Sequence, residues 1–184
     1  MNSIKIQFIF KDIQKINLYI FFYLEQNKYV IFFERNDGKM KIKDCMCNNV
    51  KWVTPETNVC DCAKIMSNNK IGCVPVCNNE NQVVGIVTDR DVILRTIACD
   101  KDCKQTPVSE IMTTNVCVCE ANCEIEEAED LMSKNAIRRL PVIENNKIVG
   151  IITLGNLFQN KNINSHHASN TFENICDCHT KNAE

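Results

Sequence analysis

The sequence predicts an α/β fold, of the α+β kind, in which two β-α-β-β-α repeats pack with pseudo-twofold symmetry. The first observation is an internal repeat: an offset of 66 positions places Met46 on Met112 and residues 74–76 on residues 140–142. The second is that each copy combines a helix-period apolar segment with short, nearly wholly apolar runs, typical of strands covered on both faces. One copy of about 60 residues is too small to bury such a sheet alone. We therefore expect the two copies to form one body.

The first copy opens with a short strand predicted over 50–53. A helix follows, because Val59 and Met66 belong to one apolar face at helical spacing. Thr57 precedes this helix as a candidate cap. Two apolar runs around a polar turn then predict a hairpin. The remaining predicted elements are, in order, the strand around Pro75, the turn over 78–81, the strand over 83–87 and a second helix from about Asp89.

The second copy repeats this order. One residue is lost in the turn, so the offset falls to 65 and Gly85 matches Gly150. Asn122 is the candidate cap of its first helix. The predicted elements are a strand over 116–119, a helix from Ile125, a hairpin ending with the strand over 148–152, and a helix from about Leu154.

Residues 1–39 differ in composition from the rest of the chain. They hold six of the eight Phe, all three Tyr and none of the 13 Cys. Their longest apolar run covers 18–24, which is shorter than the about 20 residues that a membrane-spanning helix needs. Three interpretations stay open: an accessory hairpin or helix packing on the domain, translated upstream sequence with the working start at Met40, or a weak membrane-surface or partner-binding segment.

The composition and the repeat together predict four parts. These are an N-terminal extension over 1–39, which one of the three interpretations leaves outside the working protein, a first repeat over 40–100, a second repeat over 101–161, and a flexible Asn-, Ser- and His-rich tail over 162–184.

Charge and missing motifs exclude several function classes. The net charge of −2 provides no general attraction to nucleic acid or to an anionic membrane. The chain has neither of the two standard phosphate-loop fingerprints, G-x-x-x-x-G-K-[ST] and G-x-G-x-x-G. All three histidines lie near the C-terminus, so the repeats cannot hold a Ser-His-Asp or Cys-His catalytic unit. We expect a protein that is not an enzyme.

The segment Gly85-Ile86-Val87-Thr88-Asp89-Arg90-Asp91 is the strongest candidate for a binding motif. Thr88 and Asp91 lie three residues apart where a strand enters a helix. A carboxylate there can accept from two vicinal hydroxyls, as acidic residues do with ribose in other nucleotide folds. Thr88 can donate to ribose or phosphate, and the helix start favours anions. The alternative is that Thr88 or Asp89 caps the helix and Asp91 is a solvated acid.

These residues carry a family resemblance. Writing h for a hydrophobic residue, the order I-M, V, amphipathic helix, h-P-V and G-h-h-T-x-x-D resembles the CBS domain. The two copies over about 40–161 resemble a CBS pair, or Bateman module. The resemblance implies a cytoplasmic, non-catalytic regulatory module for energy sensing. Such pairs bind AMP, ADP, ATP or sometimes S-adenosylmethionine in clefts between the repeats. They commonly form homodimers and act on a regulated protein, which is unidentified here.

The resemblance also implies two clefts, each drawing on both repeats. Each cleft combines the first-strand region of one repeat with the h-P-V and T-x-x-D pieces of the other repeat. The first cleft has Cys73 where a phosphate-binding base stands, and Arg90 can substitute. Its expected ligand-binding residues are Ile86, Thr88, Arg90, Asp91, Thr113, Asn115 and Val116.

The second cleft differs in its polar groups. Cys47 replaces a threonine and Asn156 replaces the acid, so we expect ribose to bind better in the first cleft. Arg138 and Arg139 are interpreted either as a phosphate clamp in this second cleft or as a surface pair. The residues expected in the second cleft are Cys47, Asn49, Val50, Arg138, Arg139, Ile151, Thr153 and Asn156.

The cysteines support two rival functions, a redox or metal-responsive module and a structural dimerisation module without ligand. Cys62 and Cys73 fall at apolar positions and are interpreted as small hydrophobes, so no metal is expected in the repeats. The tail offers soft ligands at His166, His167, Cys176, Cys178 and His179.

Two further features have ordinary interpretations. Trp52 is expected in the core or at a dimer contact rather than stacked on adenine. The acidic helix start is expected to be a solvated face rather than a metal site; it contains Glu124, Glu126, Glu127, Glu129 and Asp130.

Overall fold

The computed structural model describes residues 18–25, 28–35, 40–159 and 169–176. Two compact units are separated at Lys39, namely Met1–Lys39 and Met40–Glu184. In the first unit, strands β1 (Leu18–Glu25) and β2 (Lys28–Arg35) pair antiparallel, with Leu18 opposite Arg35. A hairpin is the local structure that one of the three interpretations of this segment expected.

The second unit contains the two repeats in the predicted order, so the predicted fold class is confirmed. Its first strands are shorter than predicted. Only an isolated parallel bridge between Val53 and Val76 forms in the first repeat, and only two residues pair in the second. The regular elements are α1 (Val59–Asn69), β3 (Cys73–Cys77), β4 (Val83–Thr88), α2 (Asp89–Arg95), β5 (Cys119–Glu120), α3 (Ile125–Asn135), β6 (Arg139–Glu144), β7 (Lys147–Thr153) and α4 (Leu154–Gln159).

The helix caps lie next to the predicted ones. Asn58, not Thr57, caps α1, and its side-chain oxygen accepts from the backbone N–H of Asp61 at 2.8 Å. Glu124, not Asn122, occupies the N-cap position of α3. Asn122 instead accepts from the Lys43 ammonium at 2.8 Å. The cap positions thus lie one or two residues after the predicted ones, whereas α3 begins at Ile125 as predicted.

Each repeat has its sheet completed by the segment that precedes the other repeat. In the first repeat β3 pairs with β4, and Ile86 of β4 bridges to Thr113. In the second repeat the order is β5-β6-β7, and Ile151 of β7 bridges to Cys47. The antiparallel registers also correspond, with Cys73 opposite Thr88 and Arg139 opposite Thr153. The backbone therefore follows the predicted twofold symmetry.

The two hydrophobic cores are built in the same reciprocal way, because the segment at the start of each repeat inserts into the core of the other; we call this the segment exchange. Ile42 is buried among α3, β6 and β7 of the second repeat, while Val108 and Ile111 are buried with residues of α1, β3 and β4 of the first. Backbone hydrogen bonds hold both segments: Ile42 N–H donates to the Cys123 carbonyl at 3.0 Å, and Val108 N–H donates to the Thr57 carbonyl at 2.8 Å. Three-residue 3₁₀ helices form at both places, Ile42–Asp44 and Val108–Glu110.

Gly85 and Gly150 provide the space for this exchange. A Cβ on Gly150 would lie 2.6 Å from the Met46 Sδ and 3.0 Å from the Cys47 carbonyl oxygen. A Cβ on Gly85 would collide with the Met112 Sδ. Glycine is required because a strand residue with a side chain would exclude the methionine of the incoming segment.

The C-terminal part of the chain is more ordered than predicted where it is described. Residues 169–176 form a fifth helix, α5. Ile175 is fully buried in the core of the second repeat, and Phe172 stacks edge-on against Phe158 with ring centroids 6.5 Å apart. The flexible tail predicted over 162–184 is therefore not what 169–176 form. The candidate ligands His166, His167, Cys178 and His179 lie outside the described residues.

Two other expectations change. Trp52 is 38% exposed, so it is not part of the core of this chain. The acidic start of α3 is mostly solvated as predicted, but Glu129 is only 4% exposed because it faces the core side of the helix. Within the described residues, no helix has the length and apolar character to cross a bilayer.

Gly85→Ala should destabilise the unit by about 1–3 kcal/mol, since an added methyl overpacks the contact with Met112. Urea denaturation followed by circular dichroism measures this. Gly155→Ala is the matched control: its Cβ would meet only Thr153 Oγ1 at 3.5 Å, and alanine in a helix favours folding by about 0.5–1 kcal/mol. Equal stability of Gly85→Ala and the wild type would contradict the proposed role of the glycine.

Candidate functional site

A cavity of about 870 Å³ lies between the two repeats. The first repeat contributes the end of β4 and the start of α2, the linking segment contributes residues near Thr113, and the second repeat contributes the end of α3 and the start of β6. The cavity brings together the seven residues predicted for the first cleft: Ile86, Thr88, Arg90, Asp91, Thr113, Asn115 and Val116.

A second cavity of about 190 Å³ occupies the symmetry-related position. It is lined by Cys47, Asn49, Val50, Ile151 and Thr153, which the sequence predicted together. Asn156 was also predicted here, but its side-chain oxygen turns back toward the end of β7. It accepts from the Thr153 backbone N–H at 2.8 Å and from the Thr153 hydroxyl at 2.7 Å.

The predicted distribution of the h-P-V pieces between the clefts was wrong for Arg138 and Cys73, whereas Arg139 lines the smaller cavity as predicted. Arg138 lines the larger cavity, Arg139 lines both cavities, and Cys73 lines the smaller one. The reason is the strand order. Within each repeat the h-P-V strand lies beside that repeat's own first-strand segment, while the T-x-x-D strand pairs on its other edge with the incoming segment. Each h-P-V piece therefore faces the cleft opposite to that of its own T-x-x-D piece.

Thr88 and Asp91 form a reciprocal cap at the start of α2. The Thr88 hydroxyl oxygen accepts from the Asp91 backbone N–H at 3.2 Å, and Asp91 Oδ2 accepts from the Thr88 backbone N–H at 2.9 Å. The capping interpretation of Thr88 is confirmed, since it holds the N-terminus of the helix. Asp91 is not a solvated acid, because its side chain is only 14% exposed.

This cap limits what the two side chains offer to the cavity. The Thr88 hydroxyl donates its proton to Asp91 Oδ2 at 2.7 Å. Thr88 therefore presents an acceptor in this conformation, not the donor that the sequence predicted. Asp91 Oδ2 accepts twice, whereas Asp91 Oδ1 lies 3.4 Å from an Arg95 nitrogen. Because a carboxylate oxygen has two lone pairs, Oδ1 can still accept from a ligand hydroxyl.

Arg95 was missed by sequence reasoning. Its guanidinium donates to the Ile111 carbonyl at 2.7 Å and to the Thr113 hydroxyl at 3.3 Å, and it also pairs with Asp91. Arg95 thus ties the start of α2 to the incoming segment. The available signal was its position four residues after Asp91 on a predicted helix, where opposite charges meet.

The end of α3 supplies further cavity residues that the sequence did not indicate. Ala136 adopts a left-handed conformation with φ of 51°, which ends the helix and turns the chain toward Arg138. No sequence signal marked this turn, because glycine or asparagine is the usual residue there. The additional lining residues of the larger cavity are Asp89, Cys117, Asn135, Ala136, Ile137 and Pro141.

Charges of both signs face the larger cavity. Arginine and aspartate side chains line it, and the guanidinium of Arg139 also reaches the smaller cavity. Gly72 leaves room for this arrangement, since a Cβ there would lie 3.0 Å from Asp89 Oδ2 and 3.2 Å from an Arg139 nitrogen. Guanidinium groups suit phosphate or carboxylate, and carboxylates suit hydroxyl donors. The cavity is therefore equipped for a ligand that carries both an anion and hydroxyls.

The cysteines of the described residues do not form a metal centre. Across residues 40–159 and 169–176, no three His, Cys, Asp or Glu side chains group together in a way that could hold an ion. Burial raises the pKa of the Cys62 and Cys77 thiols to about 11 each and that of Cys119 to about 12. These thiols are neutral at pH 7 and pack as small apolar groups.

The raised thiol pKa values predict alkaline destabilisation. An unfolded thiol ionises near pH 8.5, whereas Cys62, Cys77 and Cys119 keep their protons in the folded chain to about pH 11 or 12. The unfolded state therefore binds fewer protons above pH 9, and the free energy of unfolding falls as the pH rises from 9 to 11. Denaturant titrations in reducing buffer at pH 8, 9 and 10 measure the slope.

Cys119→Ala is the informative variant for this pH effect. It should reduce the loss of stability between pH 8 and pH 10, while Cys99→Ala, at an exposed cysteine, should not. An unchanged slope in Cys119→Ala would show that other titrating groups cause the alkaline loss.

The fold and the cavities define a class of protein: a two-repeat module whose larger cavity lies between the repeats, each of which completes the sheet of the other. A family model described as the CBS domain matches residues 42–96 and 108–161. The chain belongs to the CBS-domain family and carries two copies of the domain, which confirms the resemblance seen in its motifs.

Curated and solved relatives agree with this assignment. The CBS domain-containing protein YhcV of Bacillus subtilis is 37% identical over 134 residues, which cover 73% of this chain and 94% of YhcV. The crystal structure of Hypoxic Response Protein I with two coordinated zinc ions matches with a TM-score of 0.61 and 27% identity, covering 65% of this chain and 98% of that chain.

A third comparison concerns the fold alone. The CBS domain pair of protein MJ0100, crystallised with 5′-methylthioadenosine and S-adenosyl-L-methionine, matches with a TM-score of 0.59 and 24% identity. The match covers 66% of this chain and 94% of that chain.

Proposed function

We propose that this chain is a non-catalytic regulatory module that binds an adenosine-containing ligand, namely AMP, ADP, ATP or S-adenosylmethionine, in the larger cavity. The observation that carries the proposal is that Asp91, Arg138 and Arg139 all line one cavity. Its volume of about 870 Å³ is within the range of about 300–1,000 Å³ that is usual for small-molecule sites.

Each part of such a ligand has a matching group. The guanidinium groups of Arg138 and Arg139 suit a phosphate or carboxylate, which they can bind through two parallel hydrogen bonds. Asp91 Oδ1 can accept from a ribose hydroxyl, beside the N-terminus of α2. Ile86 and Val116, which also line the cavity, offer apolar contact to the adenine ring.

The smaller cavity is less suited than the larger one to a nucleotide-sized ligand. Its volume of about 190 Å³ is below the usual range for a nucleotide-sized ligand. Asn156, which matches Asp91 in the internal repeat, is not among the residues that line this cavity. We therefore place the ligand in the larger cavity, where ribose is held better.

Ligand binding between the repeats gives a route to regulation. A ligand shifts a conformational equilibrium only if it binds the two states with different affinity. Arg138 belongs to the second repeat and Asp91 to the first, so a ligand held by both favours one arrangement of the repeats. We propose that this state is read by an unidentified regulated protein, with the chain acting as a cytoplasmic homodimer. The exposed apolar side chains Ile93 and Leu94 of α2, and Ile97 in the 3₁₀ turn that follows it, support a protein contact on this surface.

Titration calorimetry with AMP and ATP should detect binding to the wild type, and Asp91→Ala should weaken it about tenfold or more, since it removes a hydrogen bond to a charged acceptor worth about 1.5–3 kcal/mol. Asn156→Ala is the matched control, because it removes the equivalent cap from α4 but does not line the larger cavity. Equal affinity of Asp91→Ala and the wild type would contradict the site assignment.

Thermal-shift screening extends the test to ADP, NADH and S-adenosylmethionine. No shift with any of them would favour a structural dimerisation module.

Arg138→Gln should reduce the affinity for ATP about tenfold while leaving the affinity for adenosine nearly unchanged, because the guanidinium contacts only the phosphates. Lys134→Gln removes the same charge from an exposed position near the end of α3 and serves as control. A loss that is equal for ATP and adenosine would show that Arg138 shapes the cavity rather than binding phosphate.

A further inference from the structure

Two cysteines meet where the linker between the repeats enters the first repeat. Cys60 lies in the first turn of α1, and Cys103 lies between α2 and the 3₁₀ helix Val108–Glu110. The Cys60 backbone N–H donates to the Cys103 carbonyl at 2.9 Å. Standard bond lengths then keep the two Cα atoms within about 7 Å of each other, and disulfides span Cα distances of about 4.4–6.8 Å.

The Cys60 side chain is part of the environment of the Cys103 thiol, whose pKa is raised first by burial and then by Cys60. Both residues are partly exposed, so a small oxidant in solution can reach them.

We propose that Cys60 and Cys103 form an intramolecular disulfide under oxidising conditions, a modification site that fastens the inter-repeat linker to α1. The inference does not depend on the ligand proposal, because it stands on the contact between these two residues. It assigns the redox chemistry that the high cysteine content suggested to one particular pair of residues.

The chemistry is thiol–disulfide exchange with a small disulfide such as oxidised glutathione. One cysteine thiolate attacks a sulfur of the small disulfide, whose S–S bond breaks and releases one small thiolate. The second cysteine then loses its proton and attacks the mixed disulfide, which releases the second small thiol. The two protein thiols are oxidised to one disulfide, and the small disulfide is reduced to two thiols.

The position of the bond determines what it would restrain. Three residues after Cys103, the Thr106 carbonyl accepts from the Val59 backbone N–H at 2.9 Å, and Val108 then enters the core of the first repeat. The same segment continues to Thr113 and Asn115 in the larger cavity. A disulfide would hold the entrance of this segment against α1.

Six other cysteines of the described residues are less suited to forming a disulfide than Cys60 and Cys103. Cys62, Cys73, Cys77 and Cys119 are buried. Cys99 is exposed, and its thiol donates to the Leu94 carbonyl at 3.4 Å. The Cys45 thiol contacts the Met40 sulfur at 3.0 Å. Cys99 is therefore a useful control for general surface oxidation.

The test uses the full chain. Reduced protein is incubated with oxidised glutathione at pH 8, the remaining thiols are blocked with N-ethylmaleimide, and the digest is analysed by mass spectrometry without reduction. We expect a peptide pair linked through Cys60 and Cys103 that separates on reduction. Cys99→Ala should leave its yield unchanged, whereas Cys103→Ala should abolish it and leave Cys60 blocked by glutathione or N-ethylmaleimide.

Two results would overturn the proposal. One is glutathione attached to Cys60 and Cys103 separately in the wild type, without a link between them. The other is preferential linkage of either residue to a third cysteine. Because the decisive measurement is made on the wild-type chain, it does not depend on the folding of any variant.

Discussion

The structure of the second unit depends on one reciprocal packing interaction, the insertion of the segment before each repeat into the core of the other. Ile42 and Val108 are both fully buried in this way, and burying an aliphatic side chain of this size contributes about 1.5–3 kcal/mol. Neither repeat therefore has a complete core of its own. Gly85 and Gly150 are part of the same constraint, because they leave the space that Met112 and Met46 occupy.

The candidate site is a direct consequence of this exchange. The segment that carries Val108 into the first repeat continues to Thr113, which bridges to Ile86 and accepts from Arg95. Arg95 in turn pairs with Asp91, which caps α2 together with Thr88. The same contacts that close the core thus position the polar groups of the larger cavity. A change that loosens the exchanged segment will disturb the cavity even where it removes no lining residue.

The sequence predicted the parts of the fold that depend on local pattern. Helical spacing identified α1 and α3, and the apolar runs around polar turns identified both hairpins, because these signals lie within a few residues of one another. Seven of the residues that line the larger cavity were predicted from the repeat and the family resemblance. The placement of Arg138 and Arg139 was not, because it depends on which edge of β4 meets the exchanged segment, and that is a long-range contact. Helix α5 was missed for a similar reason: Ile175 and Phe172 form no extended apolar pattern, and packing on the second repeat holds them.

The two cavities share one backbone plan but differ in charge. The charged residues of the larger cavity are Asp89, Arg90, Asp91, Arg138 and Arg139. By the internal repeat, these correspond in order to Leu154, Gly155, Asn156, Gly72 and Cys73, none of which carries a charge at neutral pH. A symmetric scaffold has therefore been made chemically asymmetric without altering strand order or register. Among the described residues, the smaller cavity is lined by the cations Lys51 and Arg139 and by no carboxylate, so only the larger cavity presents charges of both signs. The smaller cavity keeps the same backbone arrangement, in which Ile151 bridges to Cys47 and completes the sheet of the second repeat.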